Sequence, residues 1–255
     1  MALIRFGTYF HECKAIIFDK DGTLLDTFAI WPRLIKRRLE FLSREISLGP
    51  EQSLRVAQAM GWATAGEKCW VMRRSPIVLG TREQTAAAVS TVLYLDLGLP
   101  WDEAMNKVLK AFSACDQELG VEWQAIPIPG VPEMLRRLAE EGCQVALATN
   151  DSLERARQLM VAAKLDPYIT AYACRDEVSD GKPAPDMVEL ACRRLGISPH
   201  ECAVVGDSIL DMRMGKAAGV GLTVGVLTGA FTQEEFSGWT DVVIASAAMI
   251  SPVGS

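Results

Sequence analysis

Asp19 and Asp21 stand two residues apart, directly after the apolar run Ala15-Ile16-Ile17-Phe18, in the segment Asp19-Lys20-Asp21-Gly22-Thr23. Three other polar points follow the same style. Thr149-Asn150 comes after the apolar run at 144–148, and Lys182 lies in Asp180-Gly181-Lys182-Pro183. Gly206-Asp207-Ser208 follows the run at 202–205, with Asp211 four residues beyond Asp207. Two carboxylates at i and i+2 past a strand end can share one site. With Asp207 they would form a carboxylate-rich pocket suited to a hard, oxygen-seeking cation such as magnesium. Such a cation would neutralise an incoming phosphate, and a carboxylate can attack phosphorus to form an acyl phosphate. A second carboxyl group can protonate the leaving alcohol and later deprotonate a water. A lysine and a threonine hydroxyl suit the transferring oxygens, and backbone amides near Gly22 could add to that cradle.

These residues can meet only if the elements before them line up. The runs at 15–18, 144–148 and 202–205 are short, apolar and end abruptly, the pattern of strands buried on both faces of a parallel sheet. The runs at 222–227 and 242–244 predict further strands. Helical spacing recurs between them at 132–140, 153–164, 186–195 and 209–218, the first with proline in its opening turn and Gly142 at its close. Strand and helix in alternation predict an α/β fold with a parallel, Rossmann-like sheet. In open sheets of this kind ligands bind beyond the carboxyl ends of the strands, where the four points fall.

Residues 28–125 break the rhythm and read as nearly all helix, at 32–46, 50–60, 81–97 and 101–119. The alternation resumes near Ile126-Pro127-Ile128-Pro129-Gly130. The expected organisation is an α/β core from residues 1–26 and 127–255 with an all-helical domain, 27–126, inserted in it. In that insert Arg73, Arg74 and Arg82 flank 75–80, read as non-helical. They suit an anionic substrate group or, more simply, a solvated loop. Trp62, Trp70 and Trp101 are expected in the core of the insert, and Lys36-Arg37-Arg38 on an exposed helix face.

Hydrophobic residues make up 49% and charged residues 23% of the 255, and the net charge is -6. An acidic chain of this balance argues against nucleic acid and anionic membranes as partners. The seven cysteines are scattered with no C-x-x-C pair, so neither a complete disulfide framework nor a zinc site is signalled. The opening MALIRFGTYFHECK lacks the apolar stretch and cleavage site of a secretory signal. The expectation is a cytoplasmic protein, monomeric or homodimeric, acting on a small phosphorylated metabolite. His11 and His200 lie in no motif, and no G-x-S-x-G or Walker loop is present.

Taken in order, Asp19-Lys20-Asp21-Gly22-Thr23, Thr149, Lys182 and Gly206-Asp207-Ser208-Ile209-Leu210-Asp211 resemble the four motifs of the haloacid dehalogenase superfamily. Gly181-Lys182-Pro183-Ala184-Pro185-Asp186 is typical of its phosphoglycolate-phosphatase-like branch. The resemblance implies a magnesium-dependent phosphatase. Asp19 would be nucleophile and metal ligand. Asp21 would be general acid/base, its backbone carbonyl also meeting the metal. Thr149 and Lys182 would hold the phosphoryl group, with Asn150 either touching phosphate or capping the next helix. Asp207 would complete the metal site, and Asp211 would brace Lys182 or a metal-bound water. The insert matches the family's cap, which closes over substrate and supplies specificity.

Asp21 also separates branches of the superfamily. Dehalogenases lack this second aspartate, phosphonate-cleaving members replace it, and membrane cation pumps carry threonine there. Sugar phosphomutases usually carry a histidine shortly after the first motif, and 26–31 contains none. A phosphomutase remains the nearest alternative. A phospho-receiver domain or a catalytically silent binding protein fits less well. A receiver's acidic residues lie on different strands, and it must retain its phosphoryl group.

Overall fold

The structure is a computed structural model and describes residues 1–253. The chain forms two compact units, Met1–Thr27 with Gln124–Ser255, and Phe28–Trp123. In chain order the first unit opens with β1 (Ala2–Phe6), β2 (Tyr9–Cys13) and β3 (Ala15–Phe18). There follow α1 (Thr27–Glu45), α2 (Pro50–Met60), β4 (Trp62–Ala65), β5 (Lys68–Val71), α3 (Pro76–Leu79), α4 (Arg82–Leu97) and α5 (Trp101–Leu119). The first unit resumes with α6 (Val131–Glu140), β6 (Gln144–Thr149), α7 (Leu153–Ala162), β7 (Ala171–Cys174) and α8 (Asp186–Leu195). It ends with β8 (Cys202–Gly206), α9 (Ile209–Ala218), β9 (Leu222–Val226), α10 (Gln233–Phe236), β10 (Val242–Ile244) and β11 (Ile250–Pro252).

The first unit is a parallel six-stranded sheet in the order β10-β9-β8-β3-β6-β7. The strands expected from the apolar runs are present. Ile17, Ala146, Ala148 and Val204 pack on α8 residues such as Met187, Val188 and Ala191, while Ile16 and Phe18, of opposite parity, are also fully buried. Burial on both faces is why these runs are continuously apolar. Phe18 pairs with Leu147 on one side and Val205 on the other. That register brings the ends of β3, β6 and β8 level. The chain turns to opposite sides of β3 after it, the switch point where an open sheet leaves a crevice.

Strand β7, residues Ala171–Cys174, is buried at every position and was not anticipated. Nor was the antiparallel sheet β11-β1-β2. Its signal was the pair of five-residue runs joined by Gly7-Thr8, with Gly7 at φ 63°, a two-residue hairpin.

The second unit corrects the expectation of an all-helical insert. Its helices surround a core that includes Leu42, Met60, Val89, Val108 and Phe112. It also contains a hairpin, in which β4 and β5 pair from Trp62↔Val71 to Ala65↔Lys68. The turn is Gly66-Glu67, with Gly66 at φ 60°. Residues 75–80, expected as loop, contain the single turn α3, with Ser75 preceding and Pro76 in its first turn. Helix α4 is closed by a reciprocal capping box between Thr81 and Gln84. Arg38, expected on an exposed face, is buried, its guanidinium 4.2 Å from the Phe112 ring centroid. Trp62 packs against the core as expected, whereas Trp70 and Trp101 are exposed. Arg82 pairs with Glu83 and Asp116, and Arg73 lies 5.2 Å from the Phe28 ring centroid. Among the described residues, no helix is long and apolar enough to cross a membrane.

Candidate active site

The chain leaves β3 in a tight turn. The carbonyl of Lys20 accepts from the Leu24 and Leu25 amides, and Ile128 N–H donates to Leu24 O. Leu24 and Leu25 are buried, so apolar packing holds the turn that carries Asp19.

Asp19, Asp207 and Asp211 each place a carboxylate oxygen within 4.8 Å of the others. Lys182 Nζ donates to Asp19 Oδ1 and lies 2.7 Å from Asp211 Oδ1. Lys182 is therefore clamped between the β3 turn and the start of α9. The other oxygen of Asp211, Oδ2, accepts from Ser208 N (3.1 Å) and Ser208 Oγ (2.7 Å), closing the first turn of α9. Asp211 thus contacts Lys182 with one oxygen and caps its own helix with the other.

Burial pushes the Asp19 carboxyl up to about 6; Lys182 opposes the rise, and Asp211 and Asp21 add to it. Burial also pushes Asp207 well above its ordinary range, with the Asp19 and Asp211 charges adding to the effect. Burial alone would lower Lys182, but the facing Asp19 and Asp211 charges outweigh it and hold the ammonium protonated. With all three clustered carboxylates ionised, one ammonium leaves two negative charges uncompensated. A divalent cation with oxygen preference suits that deficit, so the residues present fit magnesium.

Thr149 ends β6, is buried, and its Oγ1 accepts from Asp151 N–H at 3.2 Å. Asn150 Oδ1 accepts from Lys182 N–H at 3.2 Å, fixing the lysine loop. The cap of α7 is Ser152, whose side chain accepts from Arg155 N–H. Between the two roles expected of Asn150, helix capping therefore falls to Ser152.

Two placements differ from the spacing argument. The Asp21 carboxylate does not join the acidic cluster. It is about half exposed and bonded to Lys20 Nζ, and Asp211 takes its place in the cluster. The Gly22 amide donates to Leu25 O at 2.9 Å, so this N–H serves the turn and not a phosphate cradle. Gly22 is needed for another reason. It holds φ 76°, and a Cβ there would lie 2.7 Å from Asp207 Oδ2. Gly229 faces the same carboxylate, and a Cβ on it would come within 1.7 Å of Asp207 Oδ2. The adjacent Ala230 N–H donates to that oxygen at 3.2 Å.

Sequence reasoning missed Gly229, Lys20 and Asp151. Nothing near Gly229 in the chain signals its approach to Asp207, 22 residues earlier. Lys20 did carry a signal, since it sits between two aspartates just after a buried strand.

A parallel sheet with clustered carboxylates and a clamped lysine at its switch point defines an α/β protein with a candidate active site at the carboxyl edge of the sheet. Residues 13–219 match the family of haloacid dehalogenase-like hydrolases, and the chain belongs to that family. Phosphoglycolate phosphatase of Escherichia coli K12 is 28% identical over 221 residues, covering 85% of this chain and 83% of that one. Among solved structures, a HAD family hydrolase from Deinococcus radiodurans with bound phosphate and sodium superposes with a TM-score of 0.64. It is 23% identical and covers 93% of each chain. A HAD-superfamily hydrolase of subfamily IA from Geobacter sulfurreducens gives a TM-score of 0.59 at 21% identity, covering 92% of this chain and 93% of that one. The protein is an enzyme of the phosphatase kind within this family.

Proposed function

We propose that this phosphatase hydrolyses a small phosphomonoester in two steps, through an aspartyl phosphate on Asp19, with magnesium. The observation that carries the reading is the cluster of Asp19, Asp207, Asp211 and Lys182 at the carboxyl ends of β3 and β8.

Asp19 and Asp207 would hold the cation, with the Asp21 backbone carbonyl, and Asp211 beside them. When bound, magnesium supplies charge neutralisation that lets the Asp19 carboxylate approach a phosphate dianion. In the first step a bond forms from an Asp19 carboxylate oxygen to phosphorus, the ester P–O bond breaks, and the Asp21 carboxyl gives its proton to the leaving alkoxide. In the second, Asp21 takes a proton from water. The water oxygen bonds to phosphorus, and the acyl phosphate bond breaks to regenerate Asp19. Lys182 and Thr149 bind the equatorial oxygens throughout, and Asn150 holds the lysine loop by accepting from the Lys182 N–H.

The second unit, Phe28–Trp123, is assigned the role of cap, selecting the substrate. Phosphoglycolate and sugar phosphates are the first candidates, by likeness to the relatives above. Seven free thiols, six of them buried, favour the reducing cytoplasm.

Release of inorganic phosphate from a panel of phosphomonoesters, with magnesium and with chelator, tests this reading. Wild type should require magnesium, and Asp19→Asn should release none. A bisphosphate requirement, with transfer to a second sugar hydroxyl and no net phosphate, would favour the phosphomutase alternative.

A further inference from the structure

The Lys20 side chain is 2% exposed although it carries a charge. Its Nζ bonds Asp21 Oδ2 and lies 3.1 Å from Asp151 Oδ2. Both partners are fixed independently. Asp21 follows Lys20 in the turn held by the Lys20 carbonyl, which accepts from Leu24 and Leu25 N–H. Asp151 donates its own N–H to Thr149 Oγ1 at 3.2 Å, and its carbonyl accepts from Arg175 N–H at 3.0 Å. A buried ammonium is costly unless its partners are held in place, and this one has two, one from the β3 turn and one from the β6 turn. Arg155 Nε lies 3.7 Å from the same Asp151 oxygen and limits where that carboxylate can swing.

We infer that Lys20 is a positioning residue: it ties the Asp21 carboxyl group to Asp151 and so aims Asp21 at the leaving-group oxygen. This rests on Asp21 acting as the acid in the proposed reaction. An acid within about 3 Å of the proton acceptor works, and a displacement of 1 Å costs on the order of 100-fold in rate. Asp21 is about half exposed, and the contact that holds its carboxylate is the one from Lys20 Nζ. The contacts of the Lys20 ammonium are with Asp21 and Asp151, outside the cluster of Asp19, Asp207 and Asp211.

A merely structural lysine and a positioning lysine differ in one readout. An alkyl leaving group needs a proton, whereas p-nitrophenolate departs without one. The kcat/KM value reports steps only as far as phosphoryl transfer to Asp19, and so isolates the acid role from the later activation of water. The experiment measures kcat/KM of the full chain with magnesium for glycerol phosphate and for p-nitrophenyl phosphate. The variants are Lys20→Met, Lys20→Arg, Asp21→Asn and the double variant Lys20→Met/Asp21→Asn. Lys20→Met should lose on the order of 10- to 100-fold on glycerol phosphate and only a few-fold on p-nitrophenyl phosphate. Lys20→Arg should recover most of the loss, and the double variant should be no worse than Asp21→Asn alone. Equal losses on both esters, or multiplicative losses in the double variant, overturn the inference. If Lys20→Met does not fold, Asp151→Asn, which releases the far end of the tie, should show the same larger loss on the alkyl ester than on p-nitrophenyl phosphate, and equal losses there overturn it equally. Wild type inert towards both esters would instead overturn the phosphatase reaction proposed above, and this inference with it.

Discussion

Lys182 Nζ lies 2.7 Å from Asp211 Oδ1, while Oδ2 of the same carboxylate accepts from Ser208 and closes the first turn of α9. One side chain therefore serves both Lys182, proposed above to bind phosphate, and the helix that starts beside Asp207. The two roles separate by substitution. Asp211→Asn keeps an amide oxygen for the cap but removes the charge facing Lys182. Its phosphatase activity should fall on the order of 10- to 100-fold, the usual cost of losing a group that orients a ligand. Ser208→Ala removes the reciprocal cap and should lower stability by about 1 kcal/mol, measured by urea denaturation.

Lys182 is the cation set directly against Asp19 and Asp211. Removing it leaves buried carboxylates facing one another. Lys182→Met should abolish phosphate release and, in chelator, destabilise the first unit by about 3 kcal/mol or more. Denaturant unfolding with and without magnesium checks both parts, since the cation should recover some of the lost stability.

Stability without metal should depend on pH with a definite sign. Burial raises Asp19 from 3.8 to about 6, so between these values the folded chain binds more protons than the unfolded chain. The contribution of Asp19 to stability is then fully present below the lower value and is lost as pH rises through about 6. Asp207, also raised, acts in the same direction. Thermal melts in chelator should therefore show a smaller cost at high pH for Asp207→Asn than for wild type. Magnesium must displace these protons. Its stabilising effect should be large above pH 6 and vanish as pH falls towards 4.

Asp207 lies between the backbones of Gly22 and Gly229. A Cβ at Gly229 would fall 1.7 Å from Asp207 Oδ2, so Gly229→Ala must push the carboxylate away and break its bond from Ala230 N–H. Magnesium affinity by calorimetry should weaken at least about 10-fold, with far-UV circular dichroism unchanged. Unchanged affinity would show that Asp207 takes no part in holding the cation.

Asp19, Lys182, Asp207 and Asp211 were legible in the sequence because each follows a strand end or sits in a turn whose signal is local. Apolar runs buried on both faces of a sheet must end where backbone and side chains meet water, and polar residues there announce themselves. The helix starts at Ser208 and Thr81 were legible for the same reason, since a cap involves residues three apart. The hairpins at Gly7-Thr8 and Gly66-Glu67 had local signals too, but their weakly patterned strands were hidden, one pair by a helical context. Other features only the tertiary structure decided. Which carboxylates cluster, Asp211 and not Asp21, depends on the register of β3 against β8 and on Lys20 drawing Asp21 aside. The need for Gly229 arises from a backbone that approaches Asp207 across 22 residues of chain. Distances between elements follow from packing and strand register, and no spacing along the chain encodes them.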